Sequence, residues 1–316
     1  MSLPILVELV RSGVVESTHA ASVVALRADG SVALALGALD VPVFPRSSNK
    51  PLQAVGLLDA GWEPVDDACL ALATASHSGE PRHLAVVRRT LAAAGLDESA
   101  LGCPPLLPLS EQAAHALLAS GGSASRLTMN CSGKHAAMLA TCVANGWPVE
   151  GYLAPGHPVQ VALLDAIEDL AEEPVRHVAV DGCGAPQHAL TLTGLARAFS
   201  ALVTRGGTCR RTADAMRAHP GLVGGTGRDV TALLEGVPGL VCKDGAEGVY
   251  AAALPDGSAV AVKVADGATR AATPVLVGGL RALGVTADVL DRLAATPVLG
   301  GGAPVGELRL AGSLAR

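Results

Sequence analysis

From Asn130 to His135 the chain reads Asn-Cys-Ser-Gly-Lys-His, an amide, a thiol, a hydroxyl, an amine and an imidazole in close succession, and then turns into the helix-forming run Ala136-Ala137-Met138-Leu139. Ser132 and Gly133 favour a helix terminus over its interior, so the cluster reads as a polar turn opening a helix from Ala136 to Ala144. Free N–H groups and partial positive charge at such a terminus bias a thiol toward thiolate and welcome an anion. Cys131 and Lys134, three apart, fall on one face. A bland reading, with a buried Cys131, a satisfied His135 and a solvated Lys134, has to explain why so many polar types are gathered where burial is costly.

Other stretches carry chemistry of their own. In Arg46-Ser47-Ser48-Asn49-Lys50, the hydroxyl of Ser47 and the amine of Lys50 stand three apart at the mouth of a helix continuing through Val55, Leu57 and Leu58. A lysine serves a serine as base only when neutral, and taken alone this weak pattern reads more readily as a capping serine beside a solvated lysine. Ala68 to Thr74 reads as a buried strand delivering Ser76-His77-Ser78-Gly79, after which Glu80 and Pro81 start a helix reaching Ala94. Val175 to Val180 reads as a strand ending in Asp181-Gly182-Cys183-Gly184, where the glycines let the backbone approach a ligand. Lys263 lies in a strand, on the face opposite Val262 and Val264, and is either part of a site or one more exposed lysine. The glycine-rich turn Val223 to Asp229 lacks the Gly-Lys-Ser/Thr ending of a phosphate loop and is not read as one.

The elements that must position these groups are mixed. Short β-favouring runs occur at Ile5 to Val10, which reads as an edge strand, and at Ala21 to Arg27 and Ser31 to Leu36, joined by an Ala28-Asp29-Gly30 turn. Glu16 to His19 between them reads as a surface turn. Helices are expected over Ser110 to Leu118, from His157 through Leu170, and over Leu192 to Thr204 and Cys209 to His219. The final third alternates strands at Leu240 to Lys243, Val249 to Leu254 and Ser258 to Val264 with helices over Thr273 to Leu283 and Ala287 to Ala294. A closing strand at Gly306 to Leu310 suggests that both ends of the chain meet in one sheet.

With 316 residues, half of them hydrophobic, the chain is long enough for one large core or two intimately packed subdomains, and it is expected to fold as one unit over 1–316. A net charge of −6 and only two each of Phe, Tyr and Trp argue against a nucleic-acid surface or a base-stacking platform. Seven scattered cysteines fit a reducing compartment better than a disulfide framework. Without a basic leader or an uninterrupted apolar span, a soluble cytoplasmic protein with a small-molecule partner and no membrane partner is expected.

Taken together and in order, Arg46 to Ala54, Ala75 to Pro81, Asn130 to Leu139, Asp181 to Pro186 and Val262 to Gly267 resemble the motif set of the rhizobial-type bacterial L-asparaginases. The resemblance spans Val7 to Leu310; the NCSGKH and DGC motifs are its specific parts. It implies an α+β fold like that of serine β-lactamases and penicillin-binding proteins, with an antiparallel sheet joining both termini, flanking helices and a mainly helical subdomain. The implied reaction is hydrolysis of L-asparagine to aspartate and ammonia. Ser47 with Lys50 and Ser76 with Lys263 would form two Ser-Lys pairs; Arg46, His135 and Asp181 would surround the substrate; Cys131, Lys134 and Cys183 would bind one zinc ion; a homodimer is implied. A modestly short C-terminal region is the main departure. The Ser-Asp-Asn and Lys-Thr-Gly motifs of β-lactamases are absent, and a zinc-holding amino-acid binder without turnover is the rival from another class.

Overall fold

The structure, a computed structural model, describes residues 3–315. Among the described residues there are ten strands: β1 Ile5–Arg11, β2 Val14–Leu26, β3 Val32–Leu36, β4 Val178–Val180, β5 Pro186–His188, β6 Val241–Gly245, β7 Val249–Ala253, β8 Ala259–Val264, β9 Thr296–Gly300 and β10 Ala303–Leu310. Eight form one antiparallel sheet in the order β6-β7-β8-β2-β1-β10-β9, with β3 also pairing β2. As the sequence suggests, its two ends meet: Val7 pairs with Leu310 and Arg11 with Gly306.

The long strand β2 welds the sheet together. Its first half pairs with β1, and its second half lies between β8 and β3, through Ala21 opposite Val264 and Val23 opposite Leu36. The helices Leu192–Thr204 and Thr269–Ala282 cover this sheet with Leu195, Phe199, Val275 and Leu276, all excluded from solvent. A second helical layer lies beyond, where Lys50–Asp59, Asp67–Ala73, Pro81–Ala93, Ser132–Ala144 and Pro158–Ala171 pack on one another.

Four expectations need correction. The run Ala68 to Thr74 is not a strand: Asp67–Ala73 is a helix, capped by the Asp66 carboxylate accepting from the Cys69 N–H. Seven small apolar residues fit either period, and the cap decides. Glu16 to His19 is not a turn but the half-wet part of β2, and the ring of His19 is buried on Asp266. Ile5–Arg11 is an inner strand, since β10 covers the side left open in the sequence reading; β6, β9 and β3 each pair on one side only. The run from Val175 yields only the three-residue β4, which pairs with β5 in a separate two-stranded sheet.

Candidate active site

The site forms where one end of the sheet meets the second helical layer. Edge strand β6 runs past the turn Arg46–Asn49, a 3-10 turn leading directly into the helix Lys50–Asp59. At Gly245 the approach is tight: an added Cβ would lie 2.5 Å from the carbonyl oxygen of Pro45. Arg46 takes a left-handed φ of 54°, uncommon for a residue with a side chain, and Ser47 follows it within the 3-10 turn.

Ser47 and Ser76 line one cavity of about 640 Å³, together with Asn130, Arg228, Asp244 and Tyr250. That volume lies within the roughly 300–1,000 Å³ of ordinary small-molecule sites. Ser76 sits on the segment between the helices Asp67–Ala73 and Pro81–Ala93, where Glu80 and His83 close a reciprocal cap. The neighbouring His77 is buried and fixed by the Gly79 N–H and the Ser132 hydroxyl, so the Ser76 segment is tied to the helix Ser132–Ala144. Burial holds the His77 ring well below its ordinary value, with the neighbouring charges of His83 and Lys50 acting in the same direction.

Lys50 is buried, and its amine donates to the Ala75 carbonyl at 2.6 Å, to Ser76 Oγ at 3.1 Å and to Cys131 Sγ at 3.1 Å. The pairing therefore differs from the one expected. Lys50 is hydrogen-bonded to Ser76; the Ser47 hydroxyl has no hydrogen bond among the described residues, although it opens into the same cavity. Lys263 donates to the carbonyl of Glu247 and not to Ser76. Burial pushes the Lys263 amine down, as does Arg46, against the upward pull of Glu247 and Asp266.

Arg46 and Asp181 meet each other, Nε to Oδ1 at 2.7 Å, with the Asp181 carboxylate only 7% exposed. Two groups expected to hold opposite ends of a substrate thus already form an ion pair. His135 lies in the first turn of the helix Ser132–Ala144, its Nδ1 2.6 Å from the Tyr152 hydroxyl and its Nε2 buried without a hydrogen-bond partner among the described residues. The helix starts at Ser132, four residues earlier than the composition alone indicates. Its dock is set by Gly133, where an added Cβ would lie 2.5 Å from the Leu72 carbonyl oxygen.

Cys131, Lys134 and Cys183 converge beside this site, all buried. Lys134 Nζ is 3.4 Å from Cys183 Sγ, which is in turn 3.5 Å from Asp181 Oδ2. A hydrogen bond from Cys131, followed by the charge of Lys134, holds the Cys183 thiol far below its ordinary value against the opposing effect of burial. Burial pushes the Lys134 amine down, but the two sulfurs outweigh it and the net displacement is upward. Two thiols and one amine, buried and convergent with an unpartnered imidazole nitrogen alongside, are a donor set that suits zinc once the lysine has lost its proton. Among the described residues no three His, Cys, Asp or Glu side chains gather into a metal site; the cysteine pair supplies only two such side chains, and the third donor is a lysine.

Sequence reasoning missed a charged array on the cavity's other wall. Arg228 donates to Asp244 Oδ2 at 2.5 Å and to the Ser76 carbonyl at 3.3 Å, while the fully buried Lys243 also bonds the Asp244 carboxylate. Burial brings the Lys243 amine down to about 8. Burial would raise Asp244, but Lys243 and Arg228 prevail and hold it at about 2.

The chain matches the family model of L-asparaginase II over residues 7–310 and belongs to that family. No curated protein matches it. Among solved structures it is similar to Mglu in its native form, at 14% identity over 83% of this chain and 62% of that one, with a TM-score of 0.44. Mglu in its tris and glutamate form gives 15% identity over 83% and 57%, with a TM-score of 0.35. The chain thus spans less than two thirds of either Mglu chain. Among the described residues no helix is long and apolar enough to cross a membrane.

Proposed function

We propose that the protein hydrolyses the side-chain amide of L-asparagine through an acyl-enzyme formed on serine. The observation carrying this reading is that Ser47 and Ser76 line one cavity while the buried Lys50 amine is hydrogen-bonded to Ser76. Ser47 is the nucleophile, because it is the more exposed of the two and its hydroxyl is uncommitted. Ser76 is the relay, passing the proton of Ser47 to Lys50, which returns it to the departing ammonia. Ser47 is held on the 3-10 turn Arg46–Asn49 that leads into the helix Lys50–Asp59. Lys263 acts from the Glu247 side, as a positioning charge behind Arg46.

In the same reading Cys131, Lys134 and Cys183 hold one zinc ion, with His135 beside it. Such an ion supplies Lewis acidity or a firm tie between the two loops that bear its ligands. Arg46 and Asp181, bonded to each other, flank the substrate's cavity as an ion pair. A serine β-lactamase-like architecture, a homodimer and a cytoplasmic location complete the proposal. Ammonia release from L-asparagine by the purified protein, measured beside L-glutamine and a chromogenic β-lactam, tests it; turnover of none of the three leaves a binding protein.

A further inference from the structure

Arg228 caps the start of the helix Asp229–Gly236, directly after the glycine-rich turn, and its guanidinium lines the cavity that holds Ser47 and Ser76. Nη2 is bonded to Asp244 and Nη1 to the carbonyl of Ser76. A guanidinium carries five N–H donors in a planar fork, so donors remain for a ligand. Nor does Asp244 cancel the charge of Arg228, because the same carboxylate also serves Lys243. Two cations thus share the Asp244 carboxylate, while the other acid on this wall, Asp229, is taken up by the Val230 N–H and the Thr273 hydroxyl.

The other cations nearby are engaged elsewhere. Arg46 is paired with Asp181 and is not among the cavity's lining residues. Arg270, at the mouth, donates to His19 Nε2 at 3.1 Å and to Ser17 Oγ at 3.2 Å. Lys50 is buried on Ala75, Ser76 and Cys131.

We infer that Arg228 is the anchor for the substrate's α-carboxylate, held in its pose by Asp244 and Lys243. Because the same guanidinium also holds the Ser76 carbonyl, the anchor and the relay serine keep a fixed spacing, and a bound amino acid is presented to both serines in one register. The carboxylate would be taken by the planar, charge-assisted hydrogen bonding at which arginine excels. This inference rests on the asparagine-hydrolase reading above and adds to it the residue that selects an α-amino acid over a simple amide.

The test compares kcat/KM for L-asparagine and for β-alaninamide, which lacks the α-carboxylate, in the wild type, Arg228→Lys and Arg228→Met. Both substrates are measured on the same preparation, so a partly folded variant lowers both and leaves their ratio intact. In Arg228→Met the loss on L-asparagine should exceed the loss on β-alaninamide by about tenfold to a hundredfold, the range for one hydrogen bond to a charged group. Arg228→Lys, which keeps the charge without the fork, should fall between. Equal losses on the two substrates in both variants overturn the inference alone. A wild type that hydrolyses neither amide overturns the asparagine reading and this inference with it.

Discussion

The Lys50 amine lies 3.1 Å from the hydroxyl of Ser76, a residue 26 positions away, and not on the serine three positions before it. The same nitrogen is 3.1 Å from Cys131 Sγ. One buried side chain therefore joins the proposed proton relay to the proposed metal wall, and disturbance at either is felt at the other.

Ser47→Ala is expected to abolish ammonia release while leaving the fold intact by circular dichroism. Ser76→Ala and Lys50→Met should each lower kcat by about 10²- to 10⁴-fold, the span of a lost general acid–base contribution. Lys263→Met should cost less than Lys50→Met, since its amine bonds a carbonyl and not a serine. Near-normal activity in Ser47→Ala would transfer the nucleophile's role to Ser76.

Cys183→Ala is expected to lose stoichiometric zinc by elemental analysis, and Lys134→Met to weaken its retention. Because the lysine and both thiols must be deprotonated to bind, zinc should be released progressively as pH falls. Full zinc content in Cys183→Ala would leave that thiol a buried structural group.

The wall formed by Lys243 gives a pH signature in stability. Its amine titrates at about 8 when folded and at an ordinary 10.5 when unfolded, so between those values the unfolded chain holds more protons. Stability should rise with pH across that window, by on the order of 3 kcal/mol, and level off beyond it. Below pH 8 the amine is charged in both states and its burial cost is fully present. Urea denaturation at pH 7 and pH 10, compared with Lys243→Met, checks this; parallel curves for the two proteins would contradict it.

Gly133→Ala and Gly245→Ala are each expected to destabilise by about 1–3 kcal/mol, because a methyl group must displace backbone at Leu72 or at Pro45. Gly133→Ala should also lower zinc content, since it shifts the helix that bears Lys134. Unaltered denaturation midpoints would mean that these contacts relax freely.

The legible part of this molecule lay where chemistry is contiguous in sequence. Cys131, Lys134 and His135 announce themselves because many polar types crowd one helix start, and Asp181 with Cys183 because glycines flank them. Arg228 and Asp244 could not be seen that way: each sits between a glycine and one opposite charge, Asp229 or Lys243, as on many surface turns, and only the packing of the helix Asp229–Gly236 against β6 brings them together. Which serine Lys50 serves was hidden for a similar reason, since spacing places Ser47 nearby while the fold of the Ala75–Ser76 segment decides the contact. Among the elements, the meeting of the chain ends was readable from β-favouring runs at both. The helix Asp67–Ala73 was misread because Ala, Cys and Leu are indifferent between periods, although its Asp66 cap was present in the sequence.

The pairing of Val7 with Leu310 governs how the protein is made. During synthesis β1 leaves the ribosome long before its partner β10, so one flank of β1 stays open until the intervening chain has been made. Closing so long a loop makes the central sheet a late, slow event. Until then the nascent chain carries an unpaired apolar edge, vulnerable to association with other chains.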